Sequence, residues 1–173
     1  MVFSFEKGRI TRIGICGDER EVWEDSHYEL DIFDGTFGNL ELKYLPESIS
    51  RLEELKEFVL RDIGIKTLPK SIMGLKKLKI LSITSNPQLV LPDYLWNFKS
   101  LEILDLSNNQ LTTIPKSIEN LKNLKELILY SNVIESFPMK SIEKLKNLKT
   151  IRLESKKSLN RLNNETLEWL KKY

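Results

Sequence analysis

Pro46, Pro69, Pro92, Pro115 and Pro138 recur at a constant interval of 23 residues. Self-similarity at such a period marks an array of one stacked unit, and it constrains the fold more than any other property of this chain. Each of these prolines follows a large apolar residue: Leu45, Leu68, Leu91, Ile114 or Phe137. The best copy runs from Leu101 and reads LEILDLSNNQLTTIPKSIENLKNL. Its fixed slots hold Leu101, Leu104, Leu106, Asn109, Leu111, Ile114, Ile118 and Leu121. One period earlier the equivalents include Leu78, Leu81, Ile83, Asn86 and Leu91. One period later they include Leu124, Leu127, Leu129, Asn132 and Phe137. Weaker copies carry Leu55, Phe58, Leu60 and Ile63, then Leu148, Ile151 and Leu153.

The composition agrees with fixed aliphatic slots. Leucine occurs 29 times, isoleucine 17 times and alanine not once. A helical domain would use alanine freely, since it is the best helix former. Within each copy the L-x-x-L-x-L core alternates, which is the period of a strand. Leu104 and Leu106 therefore point one way, and Ile103, Asp105 and Ser107 the other. A single 23-residue unit cannot bury its apolar face alone, so stability requires stacking. Stacked strands about 4.8 Å apart put equivalent residues of successive copies in columns.

These motifs resemble the leucine-rich repeat family in its 23-residue form with a Leu-Pro-x-Ser-Ile segment. The resemblance covers roughly Leu40 to Leu153 and is similar to intracellular Ras-group-type and prokaryotic repeats. It implies an α/β solenoid, with a curved parallel sheet on the concave face and short helices or 3₁₀ turns on the convex face. The first turns are expected to use the hydroxyls of Ser48, Ser71, Ser117 and Ser141 on free backbone N–H groups. Asn86, Asn109 and Asn132 form a column read as an asparagine ladder, because an amide satisfies both donors and acceptors inside a tight bend. Ile63 interrupts that ladder, so the first repeats are expected to bend differently.

A solenoid needs caps over its end cores. Val2–Glu6 and Arg9–Ile15 alternate around Lys7-Gly8, which reads as a β-hairpin whose second strand begins the parallel sheet. The stretch 16–39 breaks the register and holds eight acidic residues between Asp18 and Asp34. It reads as an insertion or cap. Near the C-terminus, Asn164 is expected to cap a short helix through Lys172, with Leu167 and Leu170 on the last coil and Trp169 as a lid. One domain, 1–173, is expected: an N-terminal cap with the acidic insertion over 1–44, repeats over 45–158 and a C-terminal cap over 159–173.

Catalytic chemistry finds little support. Cys16 is the single cysteine and His27 the single histidine. Asp25, Ser26 and His27 are adjacent, so they cannot form a linear Ser–His–Asp relay. Gly14 and Gly17 lack the strand-to-helix context of a phosphate loop. The Asp31–Gly35 stretch lacks the alternating oxygens of a calcium loop. No enzyme activity, cofactor or metal is expected. No apolar run approaches a membrane span, and the opening segment is too short for a secretory leader. A cytoplasmic monomer is expected.

The outward columns of the strands are the remaining candidate. They read Glu57, Ile80, Ile103, Glu126, Thr150; then Val59, Ser82, Asp105, Ile128, Arg152; then Arg61, Thr84, Ser107, Tyr130, Glu154. Solvated positions should be polar, yet Ile80, Ile103, Ile128 and Tyr130 are not. Plain β-propensity is one reading. The other is a partner-binding patch of Arg61, Ile80, Ile103, Asp105, Glu126, Ile128, Tyr130 and Arg152. The function expected is non-catalytic protein–protein binding through the concave face. Similar Ras-group repeats act as scaffolds, some for small GTPases. The alternatives are the targeting or substrate-recognition part of an enzyme assembly, or weak binding of anionic polymers along a lysine flank. That flank is the column Lys56, Lys79, Lys125 and Lys149, broken by Glu102. Interleaved glutamates and a net charge of +2 argue against nucleic acid.

Overall fold

The computed structural model describes residues 2–6, 9–16, 44–153 and 162–173. Seven strands form one sheet in chain order: β1 (Val2–Glu6), β2 (Arg9–Cys16), β3 (Glu57–Arg61), β4 (Ile80–Thr84), β5 (Ile103–Asp105), β6 (Glu126–Ile128) and β7 (Thr150–Arg152). β1 pairs with β2 antiparallel, with a bulge between Ser4 and Phe5. From β2 to β7 every pairing is parallel. The hairpin therefore starts the parallel sheet, as its alternation requires. The acidic stretch Asp18–Asp34, the residues Asp25, Ser26 and His27, and Glu154 lie outside the described residues.

Each strand from β3 to β6 is followed by a bend that starts at a residue with positive φ, namely Asp62 (49°), Ser85 (57°), Asn108 (60°) and Ser131 (51°), joined by Gly64 (67°) and Gln110 (58°) in the first and third. The chain then returns through a five-residue 3₁₀ turn at Glu47–Arg51, Lys70–Gly74, Asp93–Asn97 and Lys116–Asn120. In the next coil it returns through a four-residue helix, α1 (Met139–Ile142). Proline precedes each of these turns, in extended backbone before the four 3₁₀ turns and with ψ 66° at Pro138, and its fixed φ suits every one of these positions. Leucines and isoleucines from strand, bend and turn fill the space between. Leu78, Leu81, Ile83, Leu101, Leu104, Leu106, Leu124 and Leu127 are all fully buried.

Three expectations are corrected. None of the serines caps its turn. The cap position is occupied by proline, which has no side-chain oxygen, and the serines sit inside the turn. Ser71 Oγ is buried without a hydrogen-bond partner, and Ser141 Oγ donates to Glu119 Oε2 at 3.0 Å. The coil holding Ile63 starts its bend as the others do, with Asp62 left-handed, and with Gly64 as a second left-handed residue it matches the Asn108–Gln110 bend. The C-terminal helix α2 (Asn164–Leu170) is capped by Asn163, one residue earlier than expected. The Asn163 Oδ1 accepts the Thr166 N–H at 2.8 Å.

The ladder explains the second correction. Asn86 Oδ1 accepts the N–H groups of Ile63 and Ile65, both at 3.2 Å. Asn109 Oδ1 accepts from Asn86 N–H at 2.8 Å. Asn132 Oδ1 accepts from Asn109 N–H at 3.2 Å and from Leu111 N–H at 2.9 Å. Each asparagine thus serves the coil before its own, so the coil of Ile63 is held by Asn86. Gly74 lies close against Ser50 of the preceding turn. A Cβ there would lie 2.7 Å from that of Ser50, a distance only glycine avoids.

α2 closes the far end. Trp169 and Leu162 join the core, with Leu167 and Leu170 packed half-buried against it. Trp169 also donates Nε1–H to Glu143 Oε1 at 2.9 Å, tying the helix to the last described turn.

Candidate functional site

The sheet register sets the outward columns. Arg12, Glu57, Ile80, Ile103, Glu126 and Thr150 are aligned across β2 to β7. Gly14, Val59, Ser82, Asp105, Ile128 and Arg152 form the second column. The third continues past the strand ends, where Ser85 N–H donates to Ser107 O and Asn108 N–H to Tyr130 O. The partner-binding candidates chosen from sequence therefore share one face of the sheet.

Their exposure is not uniform. Ile80 and Ile103 are half-buried, and Tyr130 is 38% exposed. Ile128 is only 8% exposed, contrary to its expected role as an open contact. Arg152 is its register partner on the neighbouring strand. The Arg152 guanidinium pairs with Glu126, and Glu126 and Tyr130, which flank Ile128 on the same face, both raise the arginine's pKa. Val59 and Glu57 are buried too, at 8% and 5% exposed. Glu57 Oε2 accepts from Arg12 Nε at 2.7 Å, whereas its Oε1 has no hydrogen-bond partner.

Asp105 sits at the centre of the face. Its Oδ1 accepts from Ser107 N–H at 2.9 Å and Ser107 Oγ–H at 2.6 Å, and its Oδ2 accepts from Ser82 Oγ–H at 3.5 Å. Burial raises its pKa above the ordinary aspartate value, and the nearby Glu126 carboxylate adds to that rise. The serine hydrogen bonds oppose the rise without cancelling it. The open part of the face is thus an aliphatic strip from Ile80 to Ile103, an anchored carboxylate, and the Tyr130 ring beside an arginine. The Asp-x-Ser spacing was the sequence signal for the anchored carboxylate, since an aspartate commonly binds the backbone two residues on. The Arg12–Glu57 pair joins the hairpin to the first repeat and gives no local signal.

Among the described residues, no group of three or more His, Cys, Asp or Glu side chains is placed to hold a metal ion. Among them, too, no helix is long and apolar enough to cross a membrane.

Parallel coils around a leucine core, with one sheet face turned outward, define a solenoid repeat protein. The chain belongs to the leucine-rich repeat family, matching the model described as leucine-rich repeat region over residues 36–171. No curated protein matches it. Among solved structures it is similar to the Toll–Spatzle complex of Drosophila, at 28% identity and TM-score 0.60. The match covers 66% of this chain and 16% of that one. It is similar to the TLR13–ssRNA13 complex at 25% identity and TM-score 0.54, covering 67% of this chain and 18% of that one. A leucine-rich repeat protein of Leptospira interrogans is 30% identical, over 68% of this chain and 41% of that one, with TM-score 0.37. The chain thus spans less than half the length of each of these solved chains.

Proposed function

We propose that this chain is a non-catalytic binding module whose protein partner docks on the open part of the concave face. Leucine-rich repeat domains typically mediate protein–protein interaction, and the family is generally non-catalytic. The observation that carries the reading is Tyr130, exposed on an outward column beside Arg152 and following a buried strand. A rigid aromatic next to an arginine, with aliphatic surface and an anchored carboxylate close by, is the composition of an interface hot spot. Solved relatives include a complex with Spatzle, which supports a macromolecular ligand. A small-GTPase partner, suggested by Ras-group repeats, remains the finer form of the same proposal. The test is affinity capture on the wild-type chain and on Tyr130→Ala, followed by titration of any captured protein. Loss of about 2 kcal/mol or more at Tyr130 supports the reading. Unchanged affinity at both Tyr130→Ala and Ile103→Ala moves the site off this face.

A further inference from the structure

The first coil of the array carries Glu-Glu-Leu-Lys at 53–56; between each later convex turn and the next strand lies a tetrapeptide: 76–79, 99–102, 122–125 and 146–149. These read Lys-Lys-Leu-Lys, Lys-Ser-Leu-Glu, Lys-Asn-Leu-Lys and Lys-Asn-Leu-Lys. The third residue of each, Leu78, Leu101, Leu124 or Leu148, is buried in the core. With that leucine fixed, the flanking residues are held at the rim, and all eight lysines are exposed. Two columns result: Lys76, Lys99, Lys122, Lys146, and Lys79, Glu102, Lys125, Lys149. Backbone bonds stack the second column, from Glu102 N–H to Lys79 O and from Lys125 N–H to Glu102 O, both at 2.7 Å, then from Lys149 N–H to Lys125 O at 2.8 Å. Side-chain amides stitch the first. Asn123 Nδ2 donates to Lys99 O at 2.7 Å and Asn147 Nδ2 to Lys122 O at 2.8 Å.

These four tetrapeptides hold a single carboxylate, Glu102; the preceding coil adds Glu53 and Glu54 at its end of the edge, and Glu54 pairs with Lys77 at 2.8 Å. Hydrogen bonds from Lys125 and Lys79 hold the pKa of Glu102 below the usual carboxylate range, so it is ionised and already neutralised by its two neighbours. Among the described residues no carboxylate pairs with Lys99, Lys122, Lys146 or Lys149. The rest of the solenoid surface is different. The bends at 62–67, 85–90, 108–113 and 131–136 carry one lysine, one aspartate and one glutamate between them. The convex turns at 47–51, 70–74, 93–97, 116–120 and 139–142 hold four basic residues and three acidic ones. Lysines retained for solubility alone would be distributed, whereas these are gathered on one edge about 15 Å long at the spacing of stacked strands.

We infer that this edge is a second binding surface, for an acidic segment of a protein. Its chemistry separates that occupant from other polyanions. The tetrapeptides contain no arginine to grip phosphate bidentately and no aromatic ring on which a base could stack. They also present no exposed large apolar side chain to anchor in a bilayer. The Lys79–Glu102–Lys125–Lys149 column directly precedes the Ile80–Ile103–Glu126–Thr150 column, so the edge borders the concave face. An extended run of aspartate or glutamate lying along the rim meets the ammonium groups as point charges.

The test is fluorescence anisotropy with a labelled decaglutamate peptide at about 0.15 M salt. Three variants of the full chain are compared with wild type, and circular dichroism confirms their fold. The edge triple Lys99→Glu, Lys122→Glu, Lys146→Glu is expected to weaken binding by about tenfold or more. The control triple Lys66→Glu, Lys70→Glu, Lys116→Glu carries the same net charge away from the edge and is expected to weaken binding less than threefold, a ceiling set by screening at this salt. Tyr130→Ala is expected to leave it unchanged, which separates this surface from the concave site. Three results overturn the inference: no binding by wild type, equal loss in the two triples, or tighter binding of a decanucleotide or phosphatidylserine vesicles than of decaglutamate.

Discussion

The amide oxygen of Asn86 accepts the backbone N–H of Ile63 at 3.2 Å, across one full repeat. The side chain of one coil therefore completes the bend of the coil before it, and Ile63 needs no amide of its own for its bend to form. The same Asn86 donates Nδ2–H to Leu60 O at 3.3 Å and Thr84 O at 2.7 Å. Four buried or half-buried backbone groups depend on it.

Asn86→Ala should destabilise the protein by about 1–3 kcal/mol, since it strands buried donors and acceptors. Urea melts give the magnitude. Native-state hydrogen exchange gives the location: the amides of Ile63 and Ile65 should lose protection. Asn109→Ala should cost a similar amount. A change within error for both substitutions would sink the ladder account.

Neighbouring positions on β5 should respond oppositely to charge. Leu104 is fully buried, so Leu104→Glu places an unpaired carboxylate in the core and should unfold the protein or cost more than about 3 kcal/mol. Ile103 is half-buried on the outward face, and Ile103→Glu should cost about 1 kcal/mol or less. Ile128→Glu should fall between them, because that residue is 8% exposed on the outward face. Thermal melts of the three variants rank the sites.

Asp105 predicts a pH dependence. Its pKa is raised above 3.8 in the folded chain. Well below that value both states are protonated and Asp105 carries no penalty. As pH rises, the unfolded chain ionises first, so the native state loses relative stability until Asp105 itself ionises. Ser82, Ser107 and Glu126 are the groups that set the shift. Asp105→Asn cannot ionise and can still accept the Ser107 N–H. Its stability relative to wild type should increase in urea titrations as pH rises above the ordinary aspartate range, then level off once Asp105 is ionised in both states.

The end cap offers a one-residue discrimination. Asn163→Ala removes the acceptor for Thr166 N–H and should cost about 0.5–2 kcal/mol. Asn164→Ala lies inside the first turn, is exposed, and should be neutral within about 0.5 kcal/mol. Urea denaturation gives the magnitudes, and native-state hydrogen exchange at the Thr166 amide reports on this end of the solenoid.

Much of this protein was legible without coordinates. A 23-residue period is a translation along the chain, and stacking turns it into a translation in space. The concave columns from Glu57 to Thr150 and from Val59 to Arg152 could therefore be read from spacing alone. Strand alternation likewise separated Leu104 from Ile103. Only the tertiary structure decided matters that depend on side chains from different coils. Ile128 and Ile103 are alike in sequence, yet one is buried by its neighbours and the other half-open. Asn86 and Ile63 differ in sequence, yet both of their coils start their bends alike, because the amide acts one coil away. The lysines at 76, 99, 122 and 146 repeat as regularly as the leucines. Their concentration on one edge emerges only once Leu78, Leu101, Leu124 and Leu148 are seen packed beneath them. Periodicity specifies which residues are equivalent. Burial and charge density are sums over neighbours, and those neighbours exist only after the coils have stacked.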